Sequence, residues 1–187
     1  MIEDLKKAIS VLQEGGVILY PTDTIWGLGC DATNEEAVKR IFEIKKRIDT
    51  KSMLVLLDAP GKLEGYVSEV PEIAWELISI TDKPLTIIYP NAKNLAKNLV
   101  SEDNSIGIRI TSEQFSKNLC ERFKKPIVST SANISGEASP SNFDEITKEI
   151  LSSVDFVVKF RQDDYSSSEP SSIIKIEKGN VITIIRA

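Results

Sequence analysis

The 187-residue sequence contains no histidine, and this absence excludes more chemistry than any other feature of its composition. Ser-His-Asp and Cys-His centres need an imidazole as general base, and many zinc sites need one as a ligand. An enzyme of this composition works by positioning and electrostatics, or it moves a proton with a carboxylate, a lysine or a substrate group.

Cysteine, long apolar runs and basic charge are also scarce. Cys30 and Cys120 lie in apolar or small-residue contexts, which predicts reduced, structural thiols. No apolar run reaches transmembrane length, and the amphipathic start of the chain lacks the apolar centre of a signal peptide, so we expect a cytoplasmic protein with no membrane association. The net charge of −5 means that any anion site must be a local concentration of lysine and arginine.

Apolar periodicity predicts one α/β domain over residues 1–187. The chain opens with a helical pattern that places Ile2, Leu5, Ile9 and Leu12 on one face. Short β-branched runs predict strands at 17–20, 53–57, 85–89, 105–110, 127–128 and 154–160, with a closing hairpin at 173–176 and 181–185. Further helices are expected after an N-cap at Thr33, ending in Lys45-Lys46-Arg47, and near 71–80, 94–100, 113–123 and 142–151. This alternation favours a mixed sheet flanked by helices.

The first predicted strand ends in a polar triplet. Pro21 stops the strand because proline has no N–H for the ladder, and Thr22, Asp23 and Thr24 follow it directly. Ligands of open α/β sheets collect at the carboxyl ends of strands, so this triplet is a candidate site.

The glycines after this triplet predict a turn and not a nucleotide-binding loop. Gly27-x-Gly29-x-x-Ala32 matches the dinucleotide fingerprint only loosely, because a polar segment separates it from its strand. Thr33 and Glu36 fit a capping box, which places the helix start after the glycines. The sequence has no GxxxxGK[ST] segment, which excludes a P-loop.

Two groups of cations have open interpretations. Lys45, Arg47 and Lys51 cluster at and beyond a helix end, where spacing alone favours a solvated surface that complements the helix dipole over an anion site. Arg109 interrupts an apolar strand, where an unpaired guanidinium is costly. Its partner is either an internal carboxylate or an anionic ligand, and the sequence leaves both open.

A second polar cluster, STSAN, follows the short strand at 127–128. Ser129, Thr130, Ser131 and Asn133 offer three hydroxyls and an amide within five residues. A side-chain-stabilised turn is the structural alternative. Four hydrogen-bonding side chains exceed what a turn needs, so we favour a polar ligand site.

Five segments in order resemble the YrdC-like L-threonylcarbamoyladenylate synthases of the short bacterial type. They are YPTDTIWGLGCDA, the Lys45-x-Arg47 pair, SIGIRI, STSANISG and PSSII…IIRA, from about Val17 to the C-terminus. The family's KxR…SxN signature corresponds to Lys45, Arg47, Ser131 and Asn133, the implied catalytic residues. The resemblance implies a twisted mixed parallel/antiparallel sheet around an open, positively charged cavity, the fold of YrdC- and RibB-like proteins.

The implied activity converts L-threonine, bicarbonate and ATP into threonylcarbamoyl-AMP and pyrophosphate, for threonylcarbamoyl-adenosine modification of tRNA. The implied threonine-binding residues are Thr24, Arg109, Ser129, Ser171 and Ser172. The implied ATP-binding residues are Arg47, Lys51, Ser105, Ser131, Ser139 and Arg186. Mg²⁺ is expected on the phosphates, held by phosphate and water and not by protein ligands.

Two departures from the family pattern stand in this chain. Ile48 occupies a position that is usually proline, and Leu56 lies near the position where longer members carry a histidine. Expected partners are tRNA and other threonylcarbamoyl-transfer proteins, and the sequence leaves monomer and homodimer open. The alternative function is a non-catalytic module of the same fold that binds double-stranded RNA or tRNA. The acidic net charge and 6% aromatic content count against it.

Overall fold

In the computed structural model, residues 1–46, 53–166, 170–177, 179 and 181–187 are described. The elements in chain order are α1 (Ile2–Gln13), β1 (Ile18–Tyr20), β2 (Gly27–Gly29), α2 (Glu35–Ile44), β3 (Leu54–Leu57), α3 (Glu72–Ile80), β4 (Leu85–Tyr89), β5 (Ile106–Ile110), α4 (Gln114–Phe123), β6 (Ile127–Ser131), α5 (Lys148–Ser153), β7 (Phe156–Val157), β8 (Ser172–Ile176) and β9 (Ile182–Arg186). None of the helices in these residues is long and apolar enough to cross a bilayer.

The strands form one mixed sheet in the order β7-β1-β2-β6-β3-β5-β4-β8-β9. The pairs β3/β5, β4/β8 and β1/β7 are parallel, and the other neighbours are antiparallel. The predicted α/β class and mixed sheet are confirmed. Arg109 lies opposite Leu56 of β3 on one side and Thr86 of β4 on the other, so it stands at the centre of the sheet.

Alternation along β3 divides the core between the two faces of the sheet. Val55 and Leu57 pack in a cluster that includes α2 and α3, whereas Leu56 packs in a second cluster that includes α1 and α4. Such alternation follows from the two-residue period of a strand. Each fully buried aliphatic side chain contributes about 1.5–3 kcal/mol, so these clusters hold the helices to the sheet.

The buried face of helix α1 lacks one of the four residues predicted for it, Ile2. Leu5, Ala8 and Leu12 are buried against the sheet and α4, whereas Ile2 is 57% exposed. Ile2 stands in the first turn, beyond the edge of the packed surface, so the periodicity extended the buried face too far.

The glycines Gly27 and Gly29 form strand β2 and not the predicted turn. Gly29 pairs with Ile18, and Gly27 pairs with Tyr20. A Cβ on Gly29 would lie 2.6 Å from a ring carbon of Tyr20 and 2.9 Å from the carbonyl oxygen of Val128. The glycine is therefore required because the Tyr20 ring crosses the strand where a side chain would stand.

Substitution of Gly29 by alanine is expected to lower the free energy of unfolding by about 1–3 kcal/mol, the usual cost of overpacking a core. Gly61→Ala is the matched control, because a Cβ there meets nothing within 4 Å. Urea unfolding of both variants measures the difference. Equal stabilities would contradict the close approach of Tyr20.

The predicted capping box at Thr33 is wrong by one residue. Asn34 caps α2, and its Oδ1 accepts from the backbone N–H groups of Glu36 and Ala37 at 3.0 and 3.1 Å. The Thr33 hydroxyl instead donates to the carboxylate of Asp31 at 2.6 Å. A charged acceptor competes successfully for that hydroxyl, which leaves the cap to the next residue.

Two predicted helices and one strand are also corrected. Residues 94–100 form turns, because Asn94 has a left-handed backbone (φ 56°) and its amide donates to the carbonyl of Gly65. The segment 142–151 divides into the 3₁₀ turn Phe143–Glu145 and α5, because Asn142 and Thr147 each cap a separate N-terminus. Of the strand expected at 154–160, only the two residues of β7 form a strand, which pairs with β1.

Candidate functional site

A cavity of about 220 Å³ opens beside the sheet, where it borders the turn after β1, strands β3, β5 and β6, and the β8–β9 hairpin. Seven residues predicted from the sequence line it: Thr24, Arg109, Ser129, Ser131, Ser139, Ser171 and Arg186. Within the described part of the chain its lining has two guanidinium groups, several hydroxyls and no carboxylate. Such a lining suits an anionic ligand.

Other predicted residues are not brought into this lining. Among the described residues, these are Lys45, Asn133, Ser105 and Ser172. Arg47 and Lys51 lie outside the described residues, as does Ile48. Leu56 is fully buried in the core.

Lys45 is buried and joins the end of α2 to the end of β6. It is 3% exposed, and its Nζ donates to the carbonyl oxygens of Ser131 at 2.6 Å and of Asn133 at 2.7 Å. The interpretation of Lys45 as a solvated surface cation is therefore wrong. Its charge fixes the backbone on which Ser131 faces the cavity.

The STSAN segment is part strand and part turn. Ser129 to Ser131 belong to β6, where Ser129 pairs with Leu54 and Ser131 pairs with Gly27. Asn133 holds the following turn, since its amide donates to the carbonyls of Ile134 and Glu137. Both alternatives left open by the sequence are thus present: a structural turn, and hydroxyls that line a cavity.

Arg109 has an internal partner, Asp23. Its Nη2 lies 3.0 Å from Asp23 Oδ1, and the two side chains are only 3% and 6% exposed. Among the described residues, neither carboxylate oxygen of Asp23 nor Nε of Arg109 has a hydrogen-bond partner, because the contact is poorly aligned. Burial raises the pKa of Asp23, and the guanidinium offsets part of that rise.

No role is predicted for Asp23 itself from the sequence, although it stands in the polar triplet after β1. The signal was available, since a buried arginine requires a carboxylate and the triplet offers one. Asp23 also lines a second cavity, of about 440 Å³, whereas Arg109 lines the first. The ion pair therefore lies between the two cavities.

Thr24 is held by a small network around the turn that follows β1. The hydroxyls of Thr22 and Thr24 are 3.0 Å apart, and that of Thr22 also donates to the carbonyl of Ile25. Arg161 donates to the carbonyl of Thr22 at 3.2 Å. Arg161 was not predicted as a site residue. Its backbone is left-handed, and no sequence pattern around it indicates that conformation.

Arg186 reaches the same cavity from the C-terminal strand. Its Nε and Nη2 donate to the carbonyl oxygen of Ser171 at 2.9 and 2.7 Å. Ser171 in turn shares a hydrogen bond with Thr86 at 2.8 Å. Burial and the nearby Arg109 charge lower the pKa of Arg186, so the two guanidinium groups act on one space.

Ser105 stands on the same face of the chain as Arg109, at the other end of β5. Side chains alternate along a strand, so Ser105, Gly107 and Arg109 face one side over about 13 Å. Gly107 between them is buried, and a Cβ there would meet Thr86 at 3.3 Å and Leu54 at 3.5 Å. Asp103 accepts the Ser105 hydroxyl and pairs with Lys175 at 2.8 Å.

These bonds lower the pKa of Asp103 to about 2. A lowered folded-state pKa gives stability that is present above about pH 4 and is lost as the pH falls towards 2. Asp103→Asn should therefore show a shallower loss of stability between pH 4 and 2, measured by urea unfolding. Parallel pH profiles for the variant and the natural chain would contradict the assigned role.

The chain matches a known protein family over most of its length. The Sua5/YciO/YrdC family model, described as "Telomere recombination", matches residues 10–187. The threonylcarbamoyl-AMP synthase of Pseudoalteromonas translucida is 34% identical over 177 residues, which cover 93% of this chain and 94% of that protein. A putative threonylcarbamoyl-AMP synthase of Methanocaldococcus jannaschii is 36% identical over 187 residues, covering 97% and 86%.

Solved structures agree with the fold. Escherichia coli YciO superposes with a TM-score of 0.84 at 25% identity, covering 97% of this chain and 87% of that one. Pyrococcus abyssi Sua5 in complex with L-threonine gives a TM-score of 0.86 at 26% identity over 97% of this chain. This chain spans about half of that Sua5 chain, 53%. The resemblance read from the sequence is confirmed, and the chain belongs to the Sua5/YciO/YrdC family.

Proposed function

We propose that this chain is an L-threonylcarbamoyladenylate synthase, a nucleotidyltransferase that converts L-threonine, bicarbonate and ATP into threonylcarbamoyl-AMP and pyrophosphate. One observation carries the proposal: seven residues that the family resemblance assigns to threonine or ATP surround a single cavity. The names of the relatives and the threonine complex of a Sua5 protein support it further.

Threonine binds at the Arg109 end of the cavity. The guanidinium has an Nε without a partner among the described residues, and a carboxylate accepts such a donor in the plane of the fork. The hydroxyls of Thr24, Ser129 and Ser171 line the same space and suit the hydroxyl and amine of threonine. Ser171 lines the cavity and Ser172 does not, so we assign Ser171 the larger role.

ATP binds with its phosphates at Arg186, Ser131 and Ser139. Lys45 acts on this end indirectly, through the carbonyls of Ser131 and Asn133. Ser105 is assigned to ATP on the resemblance, although it is buried and does not line the cavity. Arg47 and Lys51 are assigned to ATP on the resemblance alone.

The chemistry needs no histidine. The threonine amine adds to the carbon of bicarbonate and water leaves, which gives a carbamate. A carbamate oxygen then attacks the α-phosphorus of ATP and expels pyrophosphate. The chain gathers the three substrates and stabilises negative charge on the leaving group with guanidinium and hydroxyl donors.

A Mg²⁺ ion fits this arrangement only as a companion of ATP. The described lining of the cavity has hydroxyl oxygens and no carboxylate, so phosphate and water oxygens would hold the ion, with Ser131 and Ser139 as candidate outer partners. The ion would neutralise charge on the departing pyrophosphate. The proposed onward partners are tRNA and the proteins that transfer the threonylcarbamoyl group.

Pyrophosphate release, with each substrate omitted in turn, tests the proposed function. We expect release from ATP only when threonine and bicarbonate are both present. Release without threonine would indicate a different adenylation substrate. No release from the folded protein, together with RNA binding that weakens steeply with added salt, would favour the RNA-binding module instead.

A further inference from the structure

The two arginines of the cavity differ in what opposes their charge. Arg109 lies 3.0 Å from the buried carboxylate of Asp23. Arg186 directs its donors at the uncharged carbonyl of Ser171, and it forms no ion pair within the described part of the chain. The Arg109 end is therefore close to electroneutral, whereas the Arg186 end keeps a net positive charge.

One further carboxylate acts on Asp23. Besides burial, the charge of Glu113, at the start of α4, raises the pKa of Asp23, and its partner Arg161 is shared with Asp164, at 3.5 and 2.7 Å. Burial raises the pKa of the Tyr20 phenol, so this neighbour is neutral. A ligand at this end therefore meets Arg109 in the lining, with the negative charge of Asp23 directly behind it.

Charge balance then decides which ligand binds at Arg109. A buried arginine without a counter-charge attracts any anion, including phosphate. With Asp23 in place, a simple anion leaves two negative charges against one positive charge in a site away from water, which is unfavourable. A zwitterion adds no net charge, so it can lie beside Arg109 without leaving an excess of negative charge in the site.

We propose that Asp23 is the specificity-determining residue of the cavity: it restricts Arg109 to zwitterionic α-amino acids and directs phosphate groups to the Arg186 end. This inference rests on the proposed function and deepens it. Asp23 acts through the charge of Arg109 and the local field, so it is a positioning residue and not a catalytic one. Selection against simple anions arises from a built-in repulsive group.

The test is Asp23→Asn, which keeps the shape of the side chain and removes its charge. Three probes are compared by equilibrium binding: L-threonine, 2,3-dihydroxybutyrate (threonine with a hydroxyl in place of the ammonium) and inorganic pyrophosphate. The natural chain should prefer threonine over dihydroxybutyrate, and this preference should fall by about 10- to 100-fold in the variant. Pyrophosphate should displace threonine from the variant and not from the natural chain.

Two matched variants separate charge from structure. Asp23→Glu keeps the charge and should keep the preference for threonine. Asp31→Asn removes another buried carboxylate, paired with Lys125 at 2.6 Å and outside the cavity lining, and should also keep it. A loss of overall affinity with an unchanged ratio between the probes is the signature of a purely structural role, and it would overturn the inference.

A measurement on the natural chain covers the case in which Asp23→Asn does not fold. Dihydroxybutyrate should bind with uptake of a proton by Asp23, whose carboxyl pKa is already raised by burial, so its affinity should increase as the pH falls. Threonine should bind without proton uptake. Equal pH profiles for the two probes would overturn the inference and leave the proposed function standing, whereas absence of any threonine binding would overturn both.

Discussion

Replacement of Arg109 by methionine, combined with Asp23→Asn, is expected to abolish threonine-dependent pyrophosphate release while the protein stays folded. The double change removes both members of a buried ion pair, which is often close to neutral for stability. The single Arg109→Ala change instead leaves the Asp23 carboxylate buried without a cation, at a cost of about 3–5 kcal/mol. The double variant is therefore the cleaner test of Arg109.

The expected loss in kcat/KM for threonine is about 100-fold or more, the usual effect of removing a buried charged partner of a ligand. Thermal unfolding checks the fold, and the dependence of pyrophosphate release on threonine concentration checks the function. The matched control removes the Asp31–Lys125 pair, which lies outside the lining of the cavity, by Asp31→Asn with Lys125→Met. Normal threonine saturation in the Arg109 double variant would exclude Arg109 from the threonine site.

Lys45→Met is expected to lower the free energy of unfolding by about 3–6 kcal/mol, because two short bonds from a charged donor are lost at about 1.5–3 kcal/mol each. The carbonyls of Ser131 and Asn133 then lose that donor inside the protein. The end of β6 loosens, so ATP use should fall with stability. Urea unfolding and ATP saturation curves measure the two effects.

Lys46→Met is the matched control for this variant. Lys46 neighbours Lys45 in the chain, but it is exposed and pairs with Glu149 on the surface at 2.7 Å. Exposed ion pairs contribute about 0–1 kcal/mol, so this change should be nearly silent. Similar losses in both lysine variants would show that Lys45 has no special structural role.

The main elements of the fold follow from local patterns, and long-range contacts correct their details. The runs at β1, β3, β4 and β5 are apolar and β-branched, which sufficed to predict strands. β2 was not predicted, because a Gly-Leu-Gly segment has no strand propensity of its own. It pairs with β1 and β6, and Tyr20 and Val128 on those strands leave room only for glycine at position 29.

The candidate site shows the same division between local signal and distant partner. Arg109 was identified because a charge in an apolar strand needs a partner. The sequence around Arg109 does not show that the partner is Asp23. Lys45 was misjudged because its acceptors are backbone carbonyls 86 and 88 residues further along the chain. Backbone acceptors carry no sequence signal, so their positions emerge only from the folded chain.

The most direct test of the proposed synthase is the fate of bicarbonate carbon. The protein is incubated with ATP, L-threonine and ¹³C-bicarbonate, and the adenylate product is analysed by mass spectrometry alongside pyrophosphate release. We predict a threonylcarbamoyl-AMP that carries the ¹³C label and forms in equal amount with pyrophosphate. Pyrophosphate released with an adenylate that lacks the label would contradict the carbamate route and with it the assigned activity.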